Sequence, residues 1–121
     1  MDSIDSNRQI ALNWIEAFNV HHLENLLSLY ADDAQHFSPK LKIRKPETGG
    51  FIQGKNALRS WWQDAFEGLP SLRYQLINLI VNEQQVLMEY KRTVDAEPEL
   101  MVAEILEIEN GYIVGSRVYH G

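Results

Sequence analysis

The chain has 121 residues, 45% of them hydrophobic and 10% aromatic, and its 17 acidic against 11 basic side chains give a formal net charge of -6. That length supports one domain, residues 1–121, with a real core and the composition of an ordinary globule. The acidic balance argues against nucleic acid as the main partner, the absence of Cys excludes disulfides and thiolate metal sites, and no apolar run reaches the length of a membrane span.

The polar amino terminus has no signal-peptide core, so a cytoplasmic protein is expected. Ser6 with Gln9 reads as a capping box, and Ile10, Ala11, Trp14, Ile15 and Phe18 then form a helical stripe. A break at Asn19-Val20-His21-His22 leads into a second short helix carrying Leu23, Leu26, Leu27 and Tyr30, which stops at Asp32-Asp33. Ala34 to Ser38 is predicted as a short strand ended by Pro39. Lys40 to Gln53 reads as a long irregular flap, basic through Lys40, Lys42, Arg44 and Lys45. Such a run is either a solvated face or a lid that draws in anions. A third helix begins after Gly54, presents Leu58, Trp61, Trp62, Ala65 and Phe66, and ends at Gly68 and Pro70. Leu72 to Val81 is a long strand with apolar residues on both parities, which predicts burial on both faces.

The remaining residues read as a three-strand antiparallel meander. Alternation puts Val86, Met88, Tyr90, Arg92 and Val94 on one face, followed by Val102, Glu104, Leu106 and Ile108, and then by Ile113, Gly115, Arg117 and Tyr119. Asn110-Gly111 suits a type I′ hairpin turn; it pairs Glu109 with Tyr112 and sets Glu104 opposite Arg117. Centring the previous turn on Pro98 sets Arg92 opposite Glu104. Glu104 is then bracketed by two guanidinium groups, and its pKa is expected to fall. A single bulge would turn one arginine, Arg117 above all, to the other face. Such a trio either holds an anionic or enolate-like oxygen or is a buried ion network that only fixes register. His36 is the candidate for exchanging protons, because imidazole titrates near neutrality. Tyr90 and Tyr119 could donate hydrogen bonds to a bound oxygen, and His120, on the parity opposite Arg117, is expected to be exposed. The four histidines show no metal-ligand spacing, so no metal is predicted.

The element order, the phrase Tyr30-Ala31-Asp32-Asp33-Ala34, the Gly54-Lys55 helix entry and the closing Ser116-Arg117-Val118-Tyr119 resemble the nuclear transport factor 2-like superfamily. Within it, the chain looks most like the SnoaL-like, polyketide cyclase-related group. The resemblance implies an α+β cone, with three helices packed on a curved, mostly antiparallel sheet around an apolar pocket, in a homodimer formed through the sheet. Ketosteroid isomerases of the superfamily carry a catalytic aspartate where this chain has Ser38, and an oxyanion-binding tyrosine where it has Trp14. Their second donor, a neutral carboxylic acid, falls at or beside Glu104. The aspartate-arginine-aspartate arrangement of limonene epoxide hydrolases is not matched either. What is expected is therefore a small-molecule pocket without a cofactor. His36, Arg92, Glu104 and Arg117 would do the chemistry, and Trp14, Phe18, Ser38, Trp62, Tyr90 and Tyr119 would line it. The protein is either an isomerase, cyclase or lyase acting on a carbonyl-bearing apolar or anionic ligand, a non-catalytic carrier, or a dimeric structural module.

Overall fold

A computed structural model describes residues 3–120. Its elements run α1 (Ser3–Asn19), α2 (Leu23–Ser28), β1 (Tyr30–Phe37), α3 (Pro39–Arg44), a single 3-10 turn (Pro46–Thr48), β2 (Phe51–Gln53), α4 (Lys55–Gly68), β3 (Arg73–Val81), β4 (Gln85–Thr93), β5 (Leu100–Glu109) and β6 (Tyr112–His120). The six strands form one curved sheet ordered β2-β1-β6-β5-β4-β3. Only β1 and β6 run parallel; the other neighbours are antiparallel. The fold is thus the expected α+β type, with helices on the concave side of an unclosed sheet.

The helices bury the faces that their spacing predicts. Ile10, Ala11, Trp14 and Phe18 of α1 and Leu58 and Trp62 of α4 join one core with Val86, Met88, Tyr90, Val102 and Leu106 of the sheet. The boundaries differ from expectation in three places. Helix α1 begins at Ser3, and the Gln9 amide bonds Asn13 Oδ1 at 2.9 Å instead of reaching back to a cap. Tyr30 opens β1 rather than closing α2. The flap contains a helix: Ser38 caps α3 by accepting from the Lys40 amide at 3.2 Å, and Pro39 takes its first turn, where no backbone donor is needed.

Strand register is irregular in three places: in β1 between Tyr30 and Gln35, and in β3 and β6, where it sets the faces that matter here. In β3 the pairing slips between Leu76 and Asn78, so Tyr74 and Leu76 face inward before the slip and Leu79 and Val81 after it. This explains apolar residues on both parities without burial on both faces; Ile77 and Ile80 are exposed on an edge strand that helices cover on one side only. In β6 the slip lies between Ile113 and Gly115. It turns Ser116, Val118 and His120 inward and Arg117 and Tyr119 outward. Each extra residue also bends and twists its strand, which curves the sheet.

Gly50 shows how tightly the β1–β2 corner closes. Its φ is +93°, and an added Cβ would lie 2.8 Å from the Phe37 ring. Gly50→Ala is expected to destabilise the protein by about 1–3 kcal/mol through strain and overpacking. Thermal or urea unfolding measures this, and an unchanged midpoint would contradict the close approach.

Candidate functional site

The concave face of the sheet, α1 and α4 enclose a narrow cleft of about 80 Å³. Its apolar walls include Phe18, Trp61, Trp62, Leu69, Leu72 and Val102. Strand pairing arranges the sheet side in rungs: Tyr74 lies opposite Arg92, Tyr90 opposite Val102, and Val102 opposite His120. His36, Ser38, Lys40 and Arg44 complete the lining from β1 and α3.

One buried hydrogen-bond chain ends at His36. The Trp14 indole, which can only donate, bonds the Tyr30 hydroxyl at 3.1 Å. Tyr30 in turn donates to Ser116 Oγ at 3.0 Å. Ser116 Oγ lies 2.7 Å from His36 Nδ1. In the arrangement that continues the direction set by Trp14, Ser116 donates, His36 Nδ1 accepts, and the neutral ring carries its proton on Nε2; with the other tautomer Ser116 Oγ accepts from both neighbours. Burial holds the imidazole neutral by lowering its pKa to about 3. His36 lines the cleft as a neutral ring and is a poor base near neutrality, contrary to the expectation that it titrates there.

A second chain ends at the tyrosines. The Tyr90 hydroxyl donates to Glu104 Oε1 at 2.8 Å, and the Tyr74 and Tyr90 rings pack against one another with centroids 4.3 Å apart, tilted by 34°. Glu104 is 1% exposed and its Oε2 has no hydrogen-bond partner among the described residues. Burial pushes its pKa up to about 8, against the opposing hydrogen bond from Tyr90. Tyr90 thus spends its hydroxyl proton on Glu104 Oε1, which ties the buried carboxyl to a side chain that lines the cleft. Tyr74 is aimed by Asn19, whose side-chain amide exchanges two hydrogen bonds with the Tyr74 backbone, at 2.7 and 2.8 Å.

The expected trio of Arg92, Glu104 and Arg117 does not assemble. The β4–β5 turn is centred on Ala96, with φ 66°, and not on Pro98, so Met88 is the β4 residue opposite Glu104. The bulge in β6 places Val118 opposite Glu104 on the other side. Arg117 turns to the outer face and bonds Glu107 at 2.7 Å. Arg92 stays inward, almost buried, and bonds Glu97 at 3.0 Å. With no guanidinium beside it, the Glu104 pKa rises instead of falling. Tyr119 is likewise outward and 47% exposed, packed near Phe37. Trp14 and Glu104 lie behind the cleft wall, while Phe18, His36, Ser38, Trp62, Tyr90 and Arg92 line it.

Sequence reasoning missed Tyr30 and Ser116 as hydrogen-bonding links, Tyr74 as a lining residue, and the inward turn of His120 and Val118. The available signal was Gly115, since a lone glycine inside a strand pattern often marks a bulge. No cluster of His, Asp or Glu among the described residues is placed to hold a metal, and no described helix is long and apolar enough to cross a membrane.

The two buried groups set opposite pH trends. Above pH 4.5 the unfolded chain releases the Glu104 proton that the folded chain keeps, so stability falls until the folded carboxyl ionises near 8. Below pH 6.5 the unfolded chain takes up a proton that folded His36 refuses down to about pH 3, so stability falls as pH drops. Between pH 6.5 and 8 only Glu104 of the pair acts. Urea melts should show the wild type losing about 2 kcal/mol over that window relative to Glu104→Gln. A constant difference between the two proteins would mean that Glu104 is ionised throughout.

Residues 11–116 match the model of the SnoaL-like domain. No curated protein matches the chain significantly. Among solved structures, a SnoaL-like protein of unknown function from Burkholderia thailandensis is 23% identical, with a TM-score of 0.87 over 97% of this chain and 95% of that one. A candidate ketosteroid isomerase from Kribbella flavida is 17% identical, with a TM-score of 0.82 over 100% and 82%. A candidate polyketide cyclase from Sinorhizobium meliloti is 18% identical, with a TM-score of 0.79 over 98% and 100%. At these identities the structures establish the nuclear transport factor 2-like fold, and activity does not transfer with it. The family match runs from α1 to the inward Ser116 that holds His36, and the chain belongs to the SnoaL-like domain family.

Proposed function

We propose that the protein binds a small carbonyl-bearing ligand in the cleft and acts on it without a cofactor, as an isomerase, cyclase or lyase of the acid–base type. One observation carries this reading: His36, Tyr74 and Tyr90 line an apolar cleft, and buried hydrogen bonds fix His36 through Ser116 and Tyr90 through Glu104. Preorganised donors in a low-dielectric site stabilise the negative charge that develops on a carbonyl oxygen as it becomes an enolate. Tyr90 lines the wall beside that oxygen, and Glu104, neutral below about pH 8, holds its hydroxyl in place without adding a negative charge next to the enolate. His36 polarises the carbonyl from Nε2 and is not itself the base. The names of two fold neighbours, an isomerase and a cyclase, agree in kind with this chemistry.

A carrier that holds the same ligand unchanged is the second reading, favoured by the low pKa of His36, which removes the obvious base. Native mass spectrometry of the purified protein would identify a retained ligand, and incubation with it distinguishes turnover from storage. If the protein is catalytic, His36→Phe should lower kcat by about 100-fold, as loss of one oxyanion donor does. His36→Gln, which can place an N–H near the same point, should recover much of that loss. Equal activity in both variants would remove His36 from the chemistry.

We also infer a homodimer through the outer sheet face. Phe51, Phe37, Arg117, Ile105, Leu87 and Ile80 pair in one row across all six strands. Phe51, Ile80 and Leu87 are exposed, and a two-fold axis would lay the row on its own copy. Sedimentation should show the wild type as a dimer and Leu87→Lys as a folded monomer. A monomeric wild type would contradict the inference.

A further inference from the structure

At the mouth of the cleft three cations meet one carboxylate. Arg92 rises from the sheet with its side chain only 9% exposed, and Lys40 and Arg44 come from α3. The Arg44 guanidinium lies 6.0 Å from the centre of the Trp61 ring and so roofs the aromatic wall. Glu97, on the turn between β4 and β5, bonds Arg92 at 3.0 Å and is itself 41% exposed. That turn is fixed on either side of Glu97: the Asp95 amide donates to Ser71 at 2.8 Å, and Glu99 pairs with Lys91 at 3.5 Å. Glu97 therefore reaches Arg92 from an anchored loop while its own side chain remains open to water.

We propose that Lys40, Arg44 and Arg92 form a carboxylate subsite and that Glu97 is its built-in competitor, which a ligand carboxylate displaces from Arg92. The inference rests on the small-molecule reading above and deepens it: the ligand is an apolar, ring-bearing carboxylic acid. Its charged end sits at the mouth, and its body lies between Trp61, Trp62 and Phe18. Three like charges at one mouth repel one another. Burial lowers the Lys40 pKa, and the field of Arg92 lowers it further while that of Glu97 opposes the shift. An incoming carboxylate relieves this repulsion, whereas a neutral ligand of the same shape does not. Glu97 prevents the subsite from standing empty as a buried, unpaired guanidinium, which would be costly. Because it is half in water, it leaves more readily than a buried partner would.

The test uses naphthoate and its neutral isostere naphthamide, followed by quenching of the tryptophan emission to which Trp61 and Trp62 contribute. Wild type should bind naphthoate more tightly than naphthamide. Glu97→Gln should tighten naphthoate by about tenfold, the scale of one charge-assisted hydrogen bond, and leave naphthamide unchanged. Glu99→Gln makes the same change in net charge two residues away and should alter naphthoate binding by less than about twofold. Lys40→Gln, at a partly exposed position, should reduce the preference for naphthoate over naphthamide without loss of fold. An equal gain from Glu97→Gln and Glu99→Gln would reduce the effect to a diffuse field and overturn the competitor. Naphthamide binding as tightly as naphthoate would overturn the carboxylate subsite while leaving the pocket reading intact. Binding of neither probe would defeat both.

Discussion

The site depends on one extra residue in β6. The slip after Ile113 rotates everything beyond it by one position, so that Ser116 faces the concave side beside His36 while Arg117 faces out. A regular strand would have turned Arg117 toward a core already holding Glu104 and moved Ser116 away from Tyr30. His36 would then have lost the hydrogen bond to Ser116 that holds its ring. Hydrophobic burial does not supply this specificity; a directional chain of single-proton donors does, and it needs Ser116 within hydrogen-bond reach of both Tyr30 and His36.

Charge is sorted by depth. His36 and Glu104 are buried, and each resolves its desolvation in the least costly way, by remaining neutral at moderate pH. Arg92, which cannot neutralise itself, sits where the sheet opens and is met by Glu97. Neutral donors thus occupy the interior and full charges the rim. A ligand with an anionic end and an apolar body has one orientation that suits both, with its reactive oxygen inside and its charge at the entrance.

The faces of the strands were largely legible in the sequence, and the partners across them were not. Asn110-Gly111 predicts the β5–β6 turn, and both residues adopt positive φ, with Glu109 opposite Tyr112 as expected. Alternation correctly puts Arg92, Glu104 and Tyr90 inward. The β4–β5 turn was misplaced because Pro98 is the conspicuous turn former, while the left-handed residue is Ala96, which nothing in its chemistry announces. The resulting displacement is an even number of residues, so every face survived and every cross-strand partner changed. The bulges in β3 and β6 fall at β-branched residues, Ile77 and Val114, that read as ordinary strand. Ser38-Pro39 fits a helix start as well as the end of a strand, and the structure uses it as the start of α3.

Glu104 shows why local oddity and chemistry go together here. Its neighbours across the sheet are Met88 and Val118, and a leucine or methionine in its place would leave no orphaned oxygen. A glutamine would keep the bond to Tyr90 and remove the ionisation altogether. What only the carboxyl adds is a proton that can leave and return, held by a hydroxyl that lines the cleft. Such a group lowers stability as pH rises and contributes nothing to packing that an apolar residue would not improve. What sets it apart from those replacements is the proton, the property a carbonyl ligand above Tyr90 would use.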